Sequence, residues 1–158
     1  DPSCTTYVMI IYKDIITGDE LVSDSFKLTE VDDIVYEIKT AMIPDEDDED
    51  GPEVINLIKI HDLKEVQYNK KEYGMAVKAY MGKIIKHLEE KNPDRVAAFK
   101  KAAQGFVVNT VMKNFKEYQC YSGREMDPSG MIVLARWLDG DVTPTFYIWK
   151  DGVESEKF

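Results

Sequence analysis

A run of six consecutive carboxylates, Asp45–Asp50, is the densest concentration of potential metal ligands in the sequence. Proteins bind Ca²⁺ through about six to eight oxygen atoms, many of them from carboxylates. The run is not an EF-hand, because aligning Gly51 with the invariant glycine of that loop puts Leu57 where a bidentate Glu must stand. Two interpretations stay open: a plain solvated, mobile loop over residues 44–53, since dense like charges repel one another, or a weak calcium site. The ligands of that site would be Asp45, Asp47, Asp48 and Asp50.

A second acidic feature, Asp19-Glu20, follows Gly18 and lies between two β-prone runs, Met9–Tyr12 and Leu21–Phe26. Glycine readily takes positive φ, so the pattern predicts a hairpin turn with both carboxylates at its solvent-facing tip. Charged turn residues often serve solubility alone. On residue chemistry, an ordinary acidic tip and a binding element both remain open.

The sequence holds no recognisable catalytic constellation. His61 and His87 fall on different predicted elements without a Ser or Cys motif nearby, and we expect both to be surface or packing residues. Gly82-Lys83 lacks the upstream glycine and the following Ser or Thr of a phosphate-binding loop. Cys120 lies in a β-prone run and is expected to be a strand residue; the alternative, a redox-sensitive thiol, would need a depressed pKa. We therefore expect no enzyme and no obligatory cofactor.

Charge is divided unequally along the chain. Residues 69–117 carry eleven Lys and Arg against five Asp and Glu, a balance of +6, whereas the remainder carries −16. Such a molecule could dock an acidic surface through its basic segment and a basic surface elsewhere, with steering screened beyond about 8 to 10 Å at ordinary salt. The alternative is that these lysines only solvate the outer faces of helices.

Length and composition narrow the class of protein. The 158 residues fit one domain, which we place at residues 9–158. A net charge of −10 disfavours binding to nucleic acid or to an anionic membrane. No apolar run approaches the roughly 20 residues that span a bilayer, no signal segment opens the sequence, and we expect a cytoplasmic protein. The first eight residues, DPSCTTYV, look like a cloning remnant and are left out of functional interpretation.

Two helices are predicted to carry the basic segment. Asn69 and Glu72 have the spacing of a capping box, and Asn92-Pro93 combines a favoured N-cap with a favoured first helical residue. The short connection predicts an antiparallel helical hairpin over residues 69–117. The predicted apolar faces are Tyr73, Val77, Tyr80, Ile84 and Leu88 in the first helix, and Val96, Phe99, Ala103, Phe106, Val107, Thr110 and Val111 in the second.

Strand-like runs flank the helical segment on both sides. Lys150-Asp151-Gly152 is predicted to close a last tight hairpin. The order of strands, helical hairpin and strands predicts an α+β fold with a mainly antiparallel sheet. Beyond the opening hairpin, the predicted strands are Val35–Lys39, Val54–Ile60, Val66–Tyr68, Tyr118–Tyr121, Met131–Trp137 and Thr145–Trp149.

Three blocks carry a family resemblance. The first holds Tyr12, Asp14, Gly18-Asp19-Glu20 and Ser23-Asp24-Ser25; the second reads LEEKNPDRVAAFK; the third runs from NFKEYQ to TPTFYIWKDGVESEK. From Met9 onward, the sequence resembles the translationally controlled tumour protein family. The resemblance implies a β-tent fold, shared with a class of small-GTPase chaperones, with the helical hairpin projecting from the sheet.

The resemblance also implies a function. Members of this family are non-enzymatic proteins that bind small GTPases and translation elongation factors, modulate nucleotide exchange or release, associate with microtubules and bind calcium. Glu20 matches the acidic turn residue that the family is thought to use at its GTPase contact, with Asp19 a weaker neighbour. Tubulin has an acidic surface, and its binding is attributed to the family's helical region. The implied tubulin contacts are Lys78, Lys83, Lys86, Lys100 and Lys101.

The sequence departs from the family pattern in three places. Arg124 stands where the family usually has Glu, which reverses a charge beside a turn, although Glu125 could compensate in part. The acidic loop is short and lacks the family's Asn-x-Ser-Ala-Glu-like stretch, which puts calcium binding in doubt. Phe158 replaces a usual terminal cysteine, which removes a route to a covalent dimer, and we expect a monomer.

Two rival functions remain at this point. One is a cytoskeletal module that binds microtubules only through the basic helical hairpin. The other is an enzyme acting on a small oxidised substrate, suggested only by β-tent relatives with reductase activity. Those relatives use metal-binding or cysteine motifs that this sequence lacks.

Overall fold

The computed structural model describes residues 9–158, which form three antiparallel sheets and a helical hairpin. The first sheet has the strand order β11-β1-β2, the second β3-β4-β10-β9-β8-β7, and the third pairs β5 with β6. The strands are β1 (Ile10–Asp14), β2 (Glu20–Ser23), β3 (Leu28–Val31), β4 (Val35–Lys39), β5 (Met42–Ile43), β6 (Val54–Ile55), β7 (Lys64–Val66), β8 (Tyr118–Ser122), β9 (Val133–Arg136), β10 (Thr145–Trp149) and β11 (Val153–Lys157).

The helices are α1 (Asn56–His61), α2 (Lys70–Lys91) and α3 (Val96–Phe106). After α3 the chain continues through a π-helical turn over Val107–Val111 and a 3-10 segment over Met112–Glu117. The capping box of α2 is confirmed, since Asn69 Oδ1 accepts from the backbone N–H of Glu72 at 2.8 Å and Glu72 Oε1 accepts from that of Asn69 at 2.9 Å.

The predicted opening hairpin is confirmed as β1 and β2. Gly18 has a φ of 78°, a value that residues with a Cβ rarely adopt. Glycine at this position therefore allows the tight turn. Its N–H donates to the carbonyl of Asp14 at 2.8 Å. β2 lies at the edge of the first sheet, because only its β1 side is paired.

The core lies between the sheets and one face of the helical hairpin. The five predicted apolar residues of α2 are all buried, from Tyr73 to Leu88. Phe106 of α3 packs against Tyr147 and Trp149 of β10, with ring centroids 6.3 and 5.4 Å apart. β10 is buried along its whole length and lies between β4 and β9 within the second sheet. The mixed, mainly antiparallel fold class is therefore confirmed.

Two predicted elements are wrong. The run Val54–Ile60 was expected to be a strand, but only Val54–Ile55 pair; α1 follows, and its buried residues Leu57 and His61 are spaced by one helical turn. Short apolar runs rich in isoleucine fit either element, so the pattern could not decide. The expected last hairpin is also absent, because both edges of β10 are already paired and β11 instead joins β1 in the other sheet.

Within residues 9–158, no helix combines the length and the apolar composition that crossing a membrane requires. The first eight residues, interpreted as a cloning remnant, lie outside the described part of the chain.

Candidate functional site

A buried carboxyl group organises the turn between β1 and β2. Asp14 is 3% exposed, and its Oδ1 accepts from the backbone N–H of Ile16 at 2.9 Å and from the hydroxyl of Tyr80 in α2 at 3.0 Å. Its Oδ2 accepts from the backbone N–H of Met131 at 2.7 Å. One side chain thus joins the turn, α2 and the segment before β9. Buried polar groups need such partners, so the turn is held in one conformation.

The hairpin pattern predicted that Asp19 faces solvent. This is wrong, because Asp19 is half-buried. It packs onto Gly123, where an added Cβ would overlap its carboxylate. Burial raises the pKa of Asp19, and the neighbouring carboxylates of Glu125 and Asp14 act in the same direction, while Arg124 opposes them. The turn is therefore docked against the loop that follows β8, a contact between residues distant in sequence.

Glu20 is the first residue of the edge strand β2 and is also half-buried. Its cross-strand partner on β1 is Lys13, whose ammonium group forms an ion pair with Glu156 at 2.7 Å. Glu20 is thus held by a paired strand rather than displayed on a free loop.

His61 is the last residue of α1 and is 4% exposed. Burial lowers the pKa of His61, the charge of Glu20 opposes that effect, and Arg124 reinforces it. Its ring packs on Phe26 with centroids 5.9 Å apart, and its Nε2 has no hydrogen-bond partner among residues 9–158. His61 was predicted to be either a surface or a packing residue, and its burial fits a packing residue. The acidic corner is defined here as the surface over His61 formed by Asp19, Glu20, Asp62, Arg124 and Glu125.

The helical hairpin is fastened to the sheets by an ion-pair network at its tip. Arg95, between α2 and α3, donates to both carboxylate oxygens of Asp151 at 3.2 and 2.9 Å, and to Asp33 Oδ2 at 2.6 Å. Lys150 also donates to Asp33. Hydrogen bonds from Lys150 and Arg95 hold the pKa of Asp33 below its ordinary value. Such two-pronged guanidinium–carboxylate contacts set the relative orientation of the two groups in addition to pairing their charges.

The five predicted tubulin-contact lysines lie on different sides of the hairpin. Lys83 is half-buried and donates to the carbonyl of Ser129 at 3.1 Å, so it faces the sheet. Lys101 borders a cleft that also contains Asp33. Lys78, Lys86 and Lys100 are exposed, and like Lys101 they have no ion-pair partner within residues 9–158. The set is a distributed positive surface rather than one cluster.

The acidic loop joins β5 to β6 and contains no helix or strand. Two of its four predicted calcium ligands instead bind Lys59 of α1: Asp45 Oδ1 lies 2.9 Å from Nζ, and Asp47 also pairs with it. Hydrogen bonds to Asp47 and Asp45 raise the pKa of Lys59. Within residues 9–158, no three His, Cys, Asp or Glu side chains are placed to hold a metal ion. The arrangement therefore does not fit a calcium site, which needs oxygen ligands converging on one point.

Cys120 is buried in β8, as predicted for a strand residue. Burial raises the pKa of its thiol to about 11, which disfavours the thiolate needed for nucleophilic or redox chemistry. This environment is the opposite of the one that the redox-sensitive interpretation requires.

Three residues important to these sites had no predicted role. Asp14 was noted only as part of the opening block, while Lys59 and Arg95 carried no signal beyond their charge. Apart from Ile16, which is two positions from Asp14, their partners lie between 12 and 117 positions away in the sequence, so local patterns could not identify them. The one sequence signal for a structural role of Asp14 is its position as a carboxyl group near the end of an apolar strand.

The antiparallel sheets with a docked helical hairpin define a protein of the β-tent fold class. The chain belongs to the translationally controlled tumour protein family, whose model matches residues 9–154. A translationally-controlled tumor protein homolog of Schizosaccharomyces pombe is 41% identical, covering 95% of this chain and 100% of the relative. A homolog from Saccharomyces cerevisiae is 35% identical, covering 94% of this chain and 99% of the relative.

Solved structures agree with this assignment. The translationally controlled tumor-associated protein p23fyp of S. pombe superposes with a TM-score of 0.84 at 39% identity, covering 94% of this chain and 99% of that one. The translationally-controlled tumor protein of Caenorhabditis elegans gives 0.68 at 34% identity, covering 94% and 98%. The sequence alignment with the S. pombe relative spans 169 residues, so that relative has residues within the matched region that this chain lacks.

Proposed function

We propose that this chain is a non-enzymatic, cytoplasmic binding protein with several partners. It binds small GTPases and translation elongation factors, and by binding it modulates nucleotide exchange or release. Family membership supports this proposal, and the acidic corner is the observation that carries it. The corner presents acidic side chains on a rigid scaffold, which is what recognition of a basic partner surface requires.

Glu20 is the central residue of the proposed GTPase contact. Glu20 lies in the edge strand β2, which pairs with β1 on one side and with no other described strand on the other. Hydrogen bonds to Asp14 hold the turn that precedes Glu20. Asp19 supports the contact indirectly, because its carboxylate packs on Gly123 and carries a pKa raised by burial. Arg124 places a positive charge beside these carboxylates. We infer that this chain therefore prefers a partner surface with a carboxylate opposite Arg124.

Microtubule association is the second candidate function. The exposed, unpaired lysines Lys78, Lys86, Lys100 and Lys101 support it, because an acidic polymer surface would attract them. Lys83 makes a smaller contribution, since its ammonium group is already bonded to Ser129. If microtubule association were the only function, microtubule binding would fall steeply as the salt concentration rises. Substitution of Glu20 would then change the binding of no partner.

Weak calcium binding at the acidic loop is the least supported part of the proposal. Lys59 pairs with both Asp45 and Asp47, and the remaining predicted ligands, Asp48 and Asp50, are exposed in the loop. Calcium would have to displace Lys59 before the loop could close around it. We propose that any such binding is weak and has no part in folding.

An unbiased capture experiment tests the proposed function. The full chain and its Glu20→Val variant are used side by side as bait, with Glu154→Val as the matched control. Glu154 is exposed on β11 and lies across from Lys13, as Glu20 does on the other side of β1, so both variants remove one carboxylate beside the same lysine. Loss of small GTPases with Glu20→Val alone supports the proposal. Recovery of the same GTPases with all three baits contradicts it.

A further inference from the structure

We infer that the groove between α2 and α3 is a docking site for an acidic amphipathic helix of a partner protein. The groove is a cavity of about 480 Å³ lined by α2, α3 and the first residues after α3, and none of its lining residues belongs to the acidic corner. Neither the proposed GTPase contact nor the proposed tubulin contact uses its apolar lining.

The floor of the groove is made by core residues, and its walls by side chains that the fold leaves partly uncovered. Val77, Phe99 and Ala103 are nearly fully buried and form the floor. Met81 and Ile85 of α2 are half-buried on one wall. Val107 and Val108 stand at one end, where Val108 is 51% exposed. An apolar groove of this kind is a favourable place for the apolar face of a helix.

The dimensions of the groove suit about three turns of helix. Its α2 wall runs from Gly74 to Ile85, and a rise of about 1.5 Å per residue makes this roughly 16 Å long. Gly74 has no side chain to close that end. A docked helix could place apolar residues at positions i, i+4 and i+7 along this length.

Charge determines which kind of helix fits. Lys78 stands on the α2 wall and Lys100 on the α3 wall, and neither has an ion-pair partner within residues 9–158. No Asp or Glu lines the groove. The occupant must therefore carry carboxylates on both sides of its apolar stripe. A second copy of this chain fits poorly, because its own carboxylate-rich segment, Asp45–Asp50, contains no apolar side chain.

A synthetic peptide provides the probe. The peptide has about eighteen residues, long enough for a marginally stable helix, with leucines at i, i+4 and i+7 and glutamates on both flanks. A scrambled peptide of identical composition has no apolar face. Binding of each labelled peptide to the full chain is measured by fluorescence anisotropy. We expect the amphipathic peptide to bind at least tenfold more tightly than the scrambled one.

Two matched charge-reversal variants locate the binding site. Lys78→Glu with Lys100→Glu reverses the groove lysines, whereas Lys86→Glu with Lys101→Glu reverses two exposed lysines outside it. Both pairs change the net charge equally. We expect the first pair to lose binding about tenfold or more and the second less than threefold, because close charge pairs outweigh long-range attraction at ordinary salt.

Methyl NMR supplies a readout that does not depend on any variant. The bound peptide is expected to shift the methyl signals of Met81, Ile85 and Val108 and to leave that of Ile16, in the turn between β1 and β2, unchanged. Equal binding of the scrambled peptide, equal losses in the two variant pairs, or no binding would each overturn the inference. All of these results are independent of GTPase capture, so the failure of one proposal is distinguishable from the failure of the other.

Discussion

At the scale of single residues, Asp14 contributes most to the shape of the candidate site. Its carboxyl group accepts hydrogen bonds from Ile16, Tyr80 and Met131, which belong to the turn, to α2 and to the segment before β9. Removing it would leave the N–H groups of Ile16 and Met131 without their acceptor, whereas the Tyr80 hydroxyl would keep the carbonyl of Gly152 at 3.2 Å. Each unpartnered donor costs about 1–3 kcal/mol. Its effect on binding would therefore be indirect, through the position of Asp19 and Glu20.

Asp14→Ala is expected to lower the free energy of unfolding by about 3 kcal/mol or more. Tyr80→Phe removes only one donor and is expected to cost about 1 kcal/mol. Urea unfolding of the two single variants and the double variant measures both values and their coupling. If Asp14→Ala costs no more than Tyr80→Phe, the three-way role of Asp14 is contradicted.

His61 reports on the acidic corner because two charges of that corner act on it. Burial holds the pKa of His61 below its ordinary value, while the charge of Glu20 opposes this effect and that of Arg124 adds to it. Glu20→Val is therefore expected to lower the pKa of His61 further, and Arg124→Glu to raise it. NMR titration of the imidazole signals measures both shifts, with Glu154→Val as the control. Unchanged titration in both corner variants would show that the three residues are not neighbours in solution.

The same histidine gives the pH dependence of stability a definite sign. Its pKa in the folded chain lies below the ordinary value of 6.5. Below that pH the unfolded chain takes up a proton that the folded chain does not, so this residue makes the free energy of unfolding fall as the pH falls. His61→Leu should consequently weaken the loss of stability between neutral pH and mildly acidic pH.

At the scale of elements, sequence patterns predicted those parts whose signals are local. The spacing of Tyr73 and Leu88 on α2 follows from helical periodicity, and the Asn69 cap involves residues three positions apart. Sheet membership was different, because β11 pairs with β1 across most of the chain. No local pattern distinguishes that pairing from a hairpin with β10, and the same limitation applies to Lys59 and the acidic loop.

The acidic loop offers a test at this scale. Lys59→Ala removes the cation that pairs with Asp45 and Asp47 and should free both carboxylates. We expect calcium affinity, measured by isothermal titration calorimetry, to be weak in the unmodified chain and to rise severalfold in the variant. Lys64→Ala, which removes the pairing with Asp62 outside the loop, serves as the control. Equal affinities in the variant and the unmodified chain would show that Lys59 does not suppress binding.

At the scale of the whole molecule, opposite charges are separated onto different surfaces. The helical hairpin carries +6 and the rest of the chain −16. The Arg95 network connects the two parts, and its partners Asp33 and Asp151 lie on turns beside different strands. Composition predicted this separation, but not which acidic residues share a surface. Asp19, Asp62 and Arg124 come together only because β2, α1 and the loop after β8 meet in the folded chain.

Glu20 is proposed to be the central residue of the GTPase contact. This is tested by measuring the affinity of a small GTPase for the full chain and for its variants Glu20→Val and Glu154→Val. Isothermal titration calorimetry at constant salt measures the affinity of each of the three proteins in two series. The first series uses the GDP-bound GTPase and the second uses the nucleotide-free GTPase. We expect at least a tenfold loss of affinity for Glu20→Val, about 1.4 kcal/mol, and an affinity for Glu154→Val close to that of the unmodified chain. Equal affinities for all three proteins would contradict it.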